Sequence, residues 1–224
     1  SSYRFEIPTI YQFVEDNFYL GGELGFMTDD NGERLPGSRR QLYNYWMDKL
    51  ETIYVKEPGK YHQILITGGI GIGKTTFMNV IQAYDYLCLQ ALESPQRYYG
   101  LMPSTVIIFA FFNVLKELAD DVSYGQFQRM LDSSPFFKKN MKVNRQKKPG
   151  FQLEATNGIE FKVGSRISHT LGIAVFGAEL DEANFGTEKQ DKRMDERRSQ
   201  VYDNYTSLVR RKETRFLSMP GHFC

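Results

Sequence analysis

The chain has 224 residues, 41% apolar and 25% charged, enough to bury one substantial core with a small appendage. Its 28 basic and 27 acidic residues leave a net charge of +1, so no chain-wide field advertises a polyanionic partner, although local clusters can still do so. Cys88 and Cys224 form neither a metal spacing nor a disulfide framework, His62, His169 and His222 are scattered, and the longest apolar run, Val106 to Phe112, is too short for a bilayer.

These features, with no basic-then-apolar leader at the N-terminus, lead us to expect a soluble intracellular protein. The opening Ser-Ser and the closing Pro220-Gly221-His222-Phe223-Cys224, a turn running into apolar residues, have the look of an excised domain.

In chain order, Ile10, Phe13, Val14 and Phe18 recur at helical spacing between Pro8 and Leu20, and Gly21-Gly22 supplies a stop, predicting a first helix. A polar loop over 28 to 38 precedes a second amphipathic helix, Gln41 to Val55, closed by Pro58-Gly59. Tyr61 to Thr67 reads as the first core strand and Thr75 to about Leu92 as the next helix. After a loop with Pro95 and Pro103, the continuous apolar run Thr105 to Phe111 is typical of a strand buried on both faces, and so of a parallel sheet. Val114, Leu118, Val122, Phe127 and Leu131 mark one long helix or two short ones ending near Ser133. From Lys138 to Lys148 six of eleven residues are basic. Phe151 to Ala155 and Ile159 to Val163 flank Thr156-Asn157-Gly158, a hairpin signal. Gly172 to Leu180 reads as another buried strand, and Glu188 to Lys212 as a long polar surface helix.

The chemistry concentrates at Gly68-Gly69-Ile70-Gly71-Ile72-Gly73-Lys74-Thr75-Thr76, which fits G-x-x-x-x-G-K-[ST] between a strand and a helix. Glycines allow a tight turn whose backbone N–H groups face an anion at the positive end of the next helix. Lys74 then reaches the β- and γ-phosphates of a nucleotide, and the Thr75 hydroxyl binds Mg²⁺. A second constellation is the run Val175 to Leu180 ending in Asp181-Glu182. Side chains alternate along a strand, so Asp181 can join the Mg²⁺ shell while Glu182 faces a water in line with the γ-phosphate. Glu179 shares the side of Asp181 and interrupts the apolar pattern together with Gly177.

On these residues the chain resembles the ATPase domain of the large terminase subunit of tailed bacteriophages. The resemblance runs through Phe13-Val14-Glu15-Asp16, Tyr19-Leu20-Gly21, Leu42-Tyr43 with Trp46, the P-loop, Ser133-Ser134-Pro135-Phe136-Phe137, Gly164-Ser165-Arg166 and Leu180-Asp181-Glu182-Ala183-Asn184-Phe185. It implies a RecA-like α/β fold of the ASCE type, with an additional strand between the P-loop and acidic strands, to which the hairpin signal at Asn157-Gly158 adds an appended antiparallel pair. It implies ATP and Mg²⁺ as ligands, with Gly68 to Thr76 on the phosphates, Thr75 and Asp181 on the metal, and Lys74 and Glu182 as catalytic residues, Glu182 being the base. The resemblance further implies a homo-oligomeric ring on double-stranded DNA, a portal protein and a small terminase subunit as partners, and the host cytoplasm as location. On this reading residues 1–60 are a helical subregion, and 61–224 an ATPase core cut before the family's coupling motif and nuclease domain; no nuclease site is expected.

Many terminases carry an arginine within the P-loop, where this chain has Ile70. Arg166 is the candidate for a cation donated to a neighbouring subunit, the alternative being a solvated arginine at a hairpin end. The isolated chain is then expected to be a weak, monomeric ATPase. Gln41 is the candidate adenine contact; Tyr11, Tyr43 and Trp46 lie upstream of the P-loop, where this family often holds adenine, but at their helical spacing they read as core. The basic run is either a DNA-phosphate contact or a solvated loop. Rival functions are a P-loop helicase or loader and a nucleotide-dependent assembly module without appreciable turnover.

Overall fold

The computed structural model describes residues 3–113, 124–140, 153–155, 157–164, 174–181, 192–216 and 221–224. The chain begins with α1 (Ile10–Glu15), where Thr9 accepts from the Gln12 N–H and the Gln12 side chain returns to the Thr9 N–H. The sequence predicts this helix to run to Leu20, but it stops at Asp16, whose carboxylate takes the Phe18 N–H and whose carbonyl takes the Gly21 N–H. A short helix, α2 (Gly21–Leu24), then folds back onto α1. The second predicted helix is α3 (Asn44–Glu51), continued by a π-helical turn, Thr52–Lys56.

Helix α4 (Lys74–Ala91) follows the glycine loop, and fourteen of its eighteen residues are buried. It is enclosed on all sides because the N-terminal helices cover what the sheet does not: the Tyr84 ring packs on Phe13 and its hydroxyl donates to the Pro8 carbonyl. After α5 (Pro95–Tyr98) come β1 (Ile107–Asn113), α6 (Gly125–Ser133) and α7 (Pro135–Asn140). The Ser-Ser-Pro-Phe-Phe stretch anchors the N-terminal region: the Phe136 N–H donates to the Phe18 carbonyl, and Phe136 and Phe137 are buried among Phe5, Phe13 and Tyr19.

The sheet is completed by β2 (Leu153–Ala155), β3 (Ile159–Gly164) and β4 (Ala174–Asp181), in the order β2-β3-β1-β4. Strand β1 is parallel to both β3 and β4, and β2 is antiparallel to β3. The hairpin forms at Asn157-Gly158, both with positive φ, but only its first strand is an appendage; its second belongs to the parallel sheet. Residues of β1 alternate between two cores. Ile107, Phe109 and Phe111 face α4, whereas Ile108, Ala110 and Phe112 face α8 (Lys192–Arg215), meeting Leu208. Strand β4 carries a bulge, because Ile108 pairs with Val175 and Phe109 with Gly177, leaving Phe176 as an extra residue. No described helix is long and apolar enough to cross a membrane.

Candidate nucleotide-binding site

The segment leading into the glycine loop departs from expectation. Tyr61 to Thr67 is extended, but it makes no regular ladder and joins the sheet by a single parallel bridge, Gln63 to Phe223. It lies at the sheet's edge, where Leu65 is 92% exposed, and its neighbour is only three residues long. That neighbour is 222–224, which lies between the loop-bearing segment and β4. On one side Phe223 donates to the His62 carbonyl and accepts from the Ile64 N–H; on the other Ala178 donates to His222, Cys224 to Ala178 and Leu180 to Cys224. The turn at the end of the sequence thus fills the position of the additional strand, in the order acidic strand, spacer, loop segment.

Several buried groups hold this spacer. His222 Nδ1 lies 2.8 Å from Asp85 Oδ2, and the Tyr54 hydroxyl donates to Asp85 Oδ1 at 2.8 Å. The Gln82 amide donates to the carbonyls of His222 and Ala178, and Lys212 donates to the Gly221 carbonyl at 2.7 Å. Burial pushes the Cys224 thiol well above its ordinary pKa, and the nearby charges of Glu179 and Asp85 add to the effect. Nothing in the spacing of the sequence pointed to His222 or Asp85, which are 137 positions apart.

Within the loop, Gly73 has φ +82° and serves as N-cap of α4, and a Cβ there would meet the Trp46 indole nitrogen at 3.2 Å. Trp46 donates from Nε1 to the Ile72 carbonyl at 2.6 Å and stacks on Phe77, with centroids 4.6 Å apart. Lys74 Nζ donates to the carbonyls of Gly68 (2.7 Å) and Gly69 (3.0 Å), which keeps its charge over the loop. Ile70 is fully exposed at the tip, Gly71 has φ +81°, and Thr75 and Thr76 follow in the first turn of α4.

The loop and the acidic strand meet where Thr75 Oγ1 lies 3.4 Å from Asp181 Oδ2. A cavity of about 260 Å³ opens beside this contact, lined among others by Thr67, Gly68, Lys74, Leu180 and Asp181. A hydroxyl and a carboxylate converging next to an ammonium fit the donor set that Mg²⁺ and a phosphate chain require. Glu179 is fully buried and is not among the residues lining this opening.

Of the other expected residues, Gln41 is exposed, binds the Gly25 carbonyl through its backbone N–H, and lines none of the three cavities along 63–68. Glu182 and Arg166 lie outside the described residues, as does the basic run beyond Asn140; Lys138 and Lys139 are exposed at the end of α7.

No curated protein matches the chain. Among solved structures, the crystal structure of the HK97 bacteriophage large terminase is similar at a TM-score of 0.47 and 16% identity, over 85% of this chain and 34% of that one. Residues 34–173, more than half of the chain, match the family model described as "Uncharacterized protein MJ0330, N-terminal P-loop domain", and the chain belongs to that family of P-loop domains.

Proposed function

We propose that the chain is an ATP-hydrolysing motor domain of a terminase large subunit that drives double-stranded DNA into viral procapsids. The observation that carries the hydrolase reading is the contact between Thr75 and Asp181, which brings the helix start behind the glycine loop against an acidic strand. The motor reading rests on the sequence resemblance, above all on Ser133 to Phe137 and Leu180 to Phe185.

In this proposal the backbone of Gly68 to Thr76 cradles the phosphates and Lys74 exchanges its carbonyl partners for phosphate oxygens. Thr75 and Asp181 would hold Mg²⁺, which would supply positive charge to the phosphate chain. Glu182 accepts the proton of the attacking water, and Arg166 enters the site of an adjacent subunit in a ring around DNA. The partners are double-stranded DNA, the portal protein and the small terminase subunit.

Phosphate release from ATP, measured with and without linear duplex DNA, portal and small subunit, tests this. Turnover that rises with the assembled partners and vanishes in Lys74→Ala is expected. Nucleotide binding without turnover under every condition means an assembly module instead. For Arg166, a mixture of Arg166→Ala and Glu182→Gln proteins recovers hydrolysis at mixed interfaces; no recovery in co-assembled mixtures removes Arg166 from the site.

A further inference from the structure

Trp46 is the chain's single tryptophan, and its indole N–H is committed to a carbonyl inside the phosphate loop. We propose that Trp46 is a positioning residue for phosphate binding: its hydrogen bond to Ile72 O orients the 72–73 peptide so that the Gly73 N–H faces the bound phosphate chain. This rests on the nucleotide-site reading above.

A trans peptide unit is planar, with its C=O and N–H pointing in opposite directions, so fixing one fixes the other. The Ile72 carbonyl points at the indole of α3, and the Gly73 N–H of the same unit therefore points away from α3. Two cavities flank the segment 64–67. One is lined by α3 through Tyr45, Trp46 and Lys49; the other is lined by Lys74 and Asp181. Turning away from α3 is turning toward the side where Lys74 and Asp181 gather.

The indole is itself held. It is nearly buried, stacks on Phe77 within the first turn of α4, and approaches Gly73 so closely that a β-carbon there would crowd its nitrogen. Loop, helix start and α3 therefore lock together, and the N–H is set before the ligand arrives. A glycine at φ +82° otherwise has wide freedom to rotate this peptide, so the constraint must come from outside the loop. An N–H aimed beforehand spares the ligand the cost of ordering it.

The decisive variant replaces Trp46 by 3-benzothienyl-alanine, which keeps the shape and stacking and exchanges the N–H for sulfur. Trp46→Phe is the genetic counterpart. Calorimetry with ADP and with pyrophosphate, together with the melting temperature of the free protein, reads the effect. We expect both ligands to bind roughly 2- to 10-fold more weakly to the isostere, the worth of one hydrogen bond, while the melting temperature falls only modestly and the free protein stays folded at the temperature of the titration. Equal affinity for both ligands overturns the assignment while leaving the nucleotide site intact. Weaker ADP binding with unchanged pyrophosphate binding also overturns it, because Trp46 then acts on the base. Failure of the unsubstituted protein to bind either ligand overturns the nucleotide reading itself, and the assignment with it.

Discussion

The Thr75 hydroxyl and the Asp181 carboxylate, 106 positions apart in sequence, lie 3.4 Å apart, and no backbone hydrogen bond joins their two segments directly among the described residues. The contact exists because α4 starts at Lys74, Gln82 two turns later ties α4 to Ala178 of β4, and the three-residue spacer holds the loop segment one strand away.

Asp181→Asn and Thr75→Ala are expected to weaken ADP binding in the presence of Mg²⁺ by roughly 10- to 100-fold, leaving binding in EDTA unchanged. Calorimetry with and without the metal checks this; an equal loss in EDTA contradicts a metal role.

Glu182→Gln is expected to retain ATP binding and lose about 10²- to 10⁴-fold in hydrolysis, because an amide is a poor proton acceptor. Glu179 is buried against α4's face of the sheet, so Glu179→Gln is expected to alter the melting temperature and leave the hydrolysis rate per folded molecule near wild type. The reverse pattern would exchange their roles.

Gly177→Ala puts a methyl group against Gln82 Oε1, with Phe109 Cδ1 at 2.9 Å, both inside the core between α4 and the sheet. Overpacking of this kind costs about 1–3 kcal/mol, to be read from urea denaturation.

Lys212 gives a pH signature. Burial lowers its pKa from 10.5 to about 8, so between these values the unfolded chain holds a proton that the folded chain has released. Stability from this group therefore rises with pH across that window, by at most about 1.4 kcal/mol per pH unit. The partly buried thiols of Cys88 and Cys224, with raised pKa values, act in the opposite sense above 9.0. The comparison must accordingly be between wild type and Lys212→Met: denaturation from pH 7.5 to 10 is expected to show a less positive slope in the variant.

Much of this was legible in the sequence because it is local. The glycine loop, the helix behind it, the Asn157-Gly158 turn and the unbroken apolar run of β1 are each determined within a few residues. The strand 61–67 misled because the continuous apolar run Ile64-Leu65-Ile66 reads as a strand buried on both faces, whereas Leu65 is 92% exposed at the sheet's edge. The spacer was invisible for a different reason. A three-residue strand has no measurable period, and the groups that seat it, Asp85, Gln82, Tyr54 and Lys212, come from three distant helical segments. Trp46 fitted a core position by its helical spacing, and it is one; its polar edge has a second task that hydrophobic patterning does not register.

The extra residue at Phe176 acts as a frame-shift in space. Ala174 and Val175 point to opposite faces, and simple alternation from them would send position 181 toward α8; because Phe176 and Gly177 both face α4, every later side chain changes sides, and Asp181 comes round to Thr75. The acidic site is thus encoded partly by a count. Deleting Phe176 is expected to remove the bulge and leave Asp181 opposite Asn113 on the same face, because Gly177 already faces α4, whereas an insertion between Gly177 and Asp181 is expected to swing Asp181 to the face away from the loop with no chemical group removed. Evolution of such a strand is constrained in length as well as in composition, and a one-residue insertion between Gly177 and Asp181 is a heavier change than most substitutions within it.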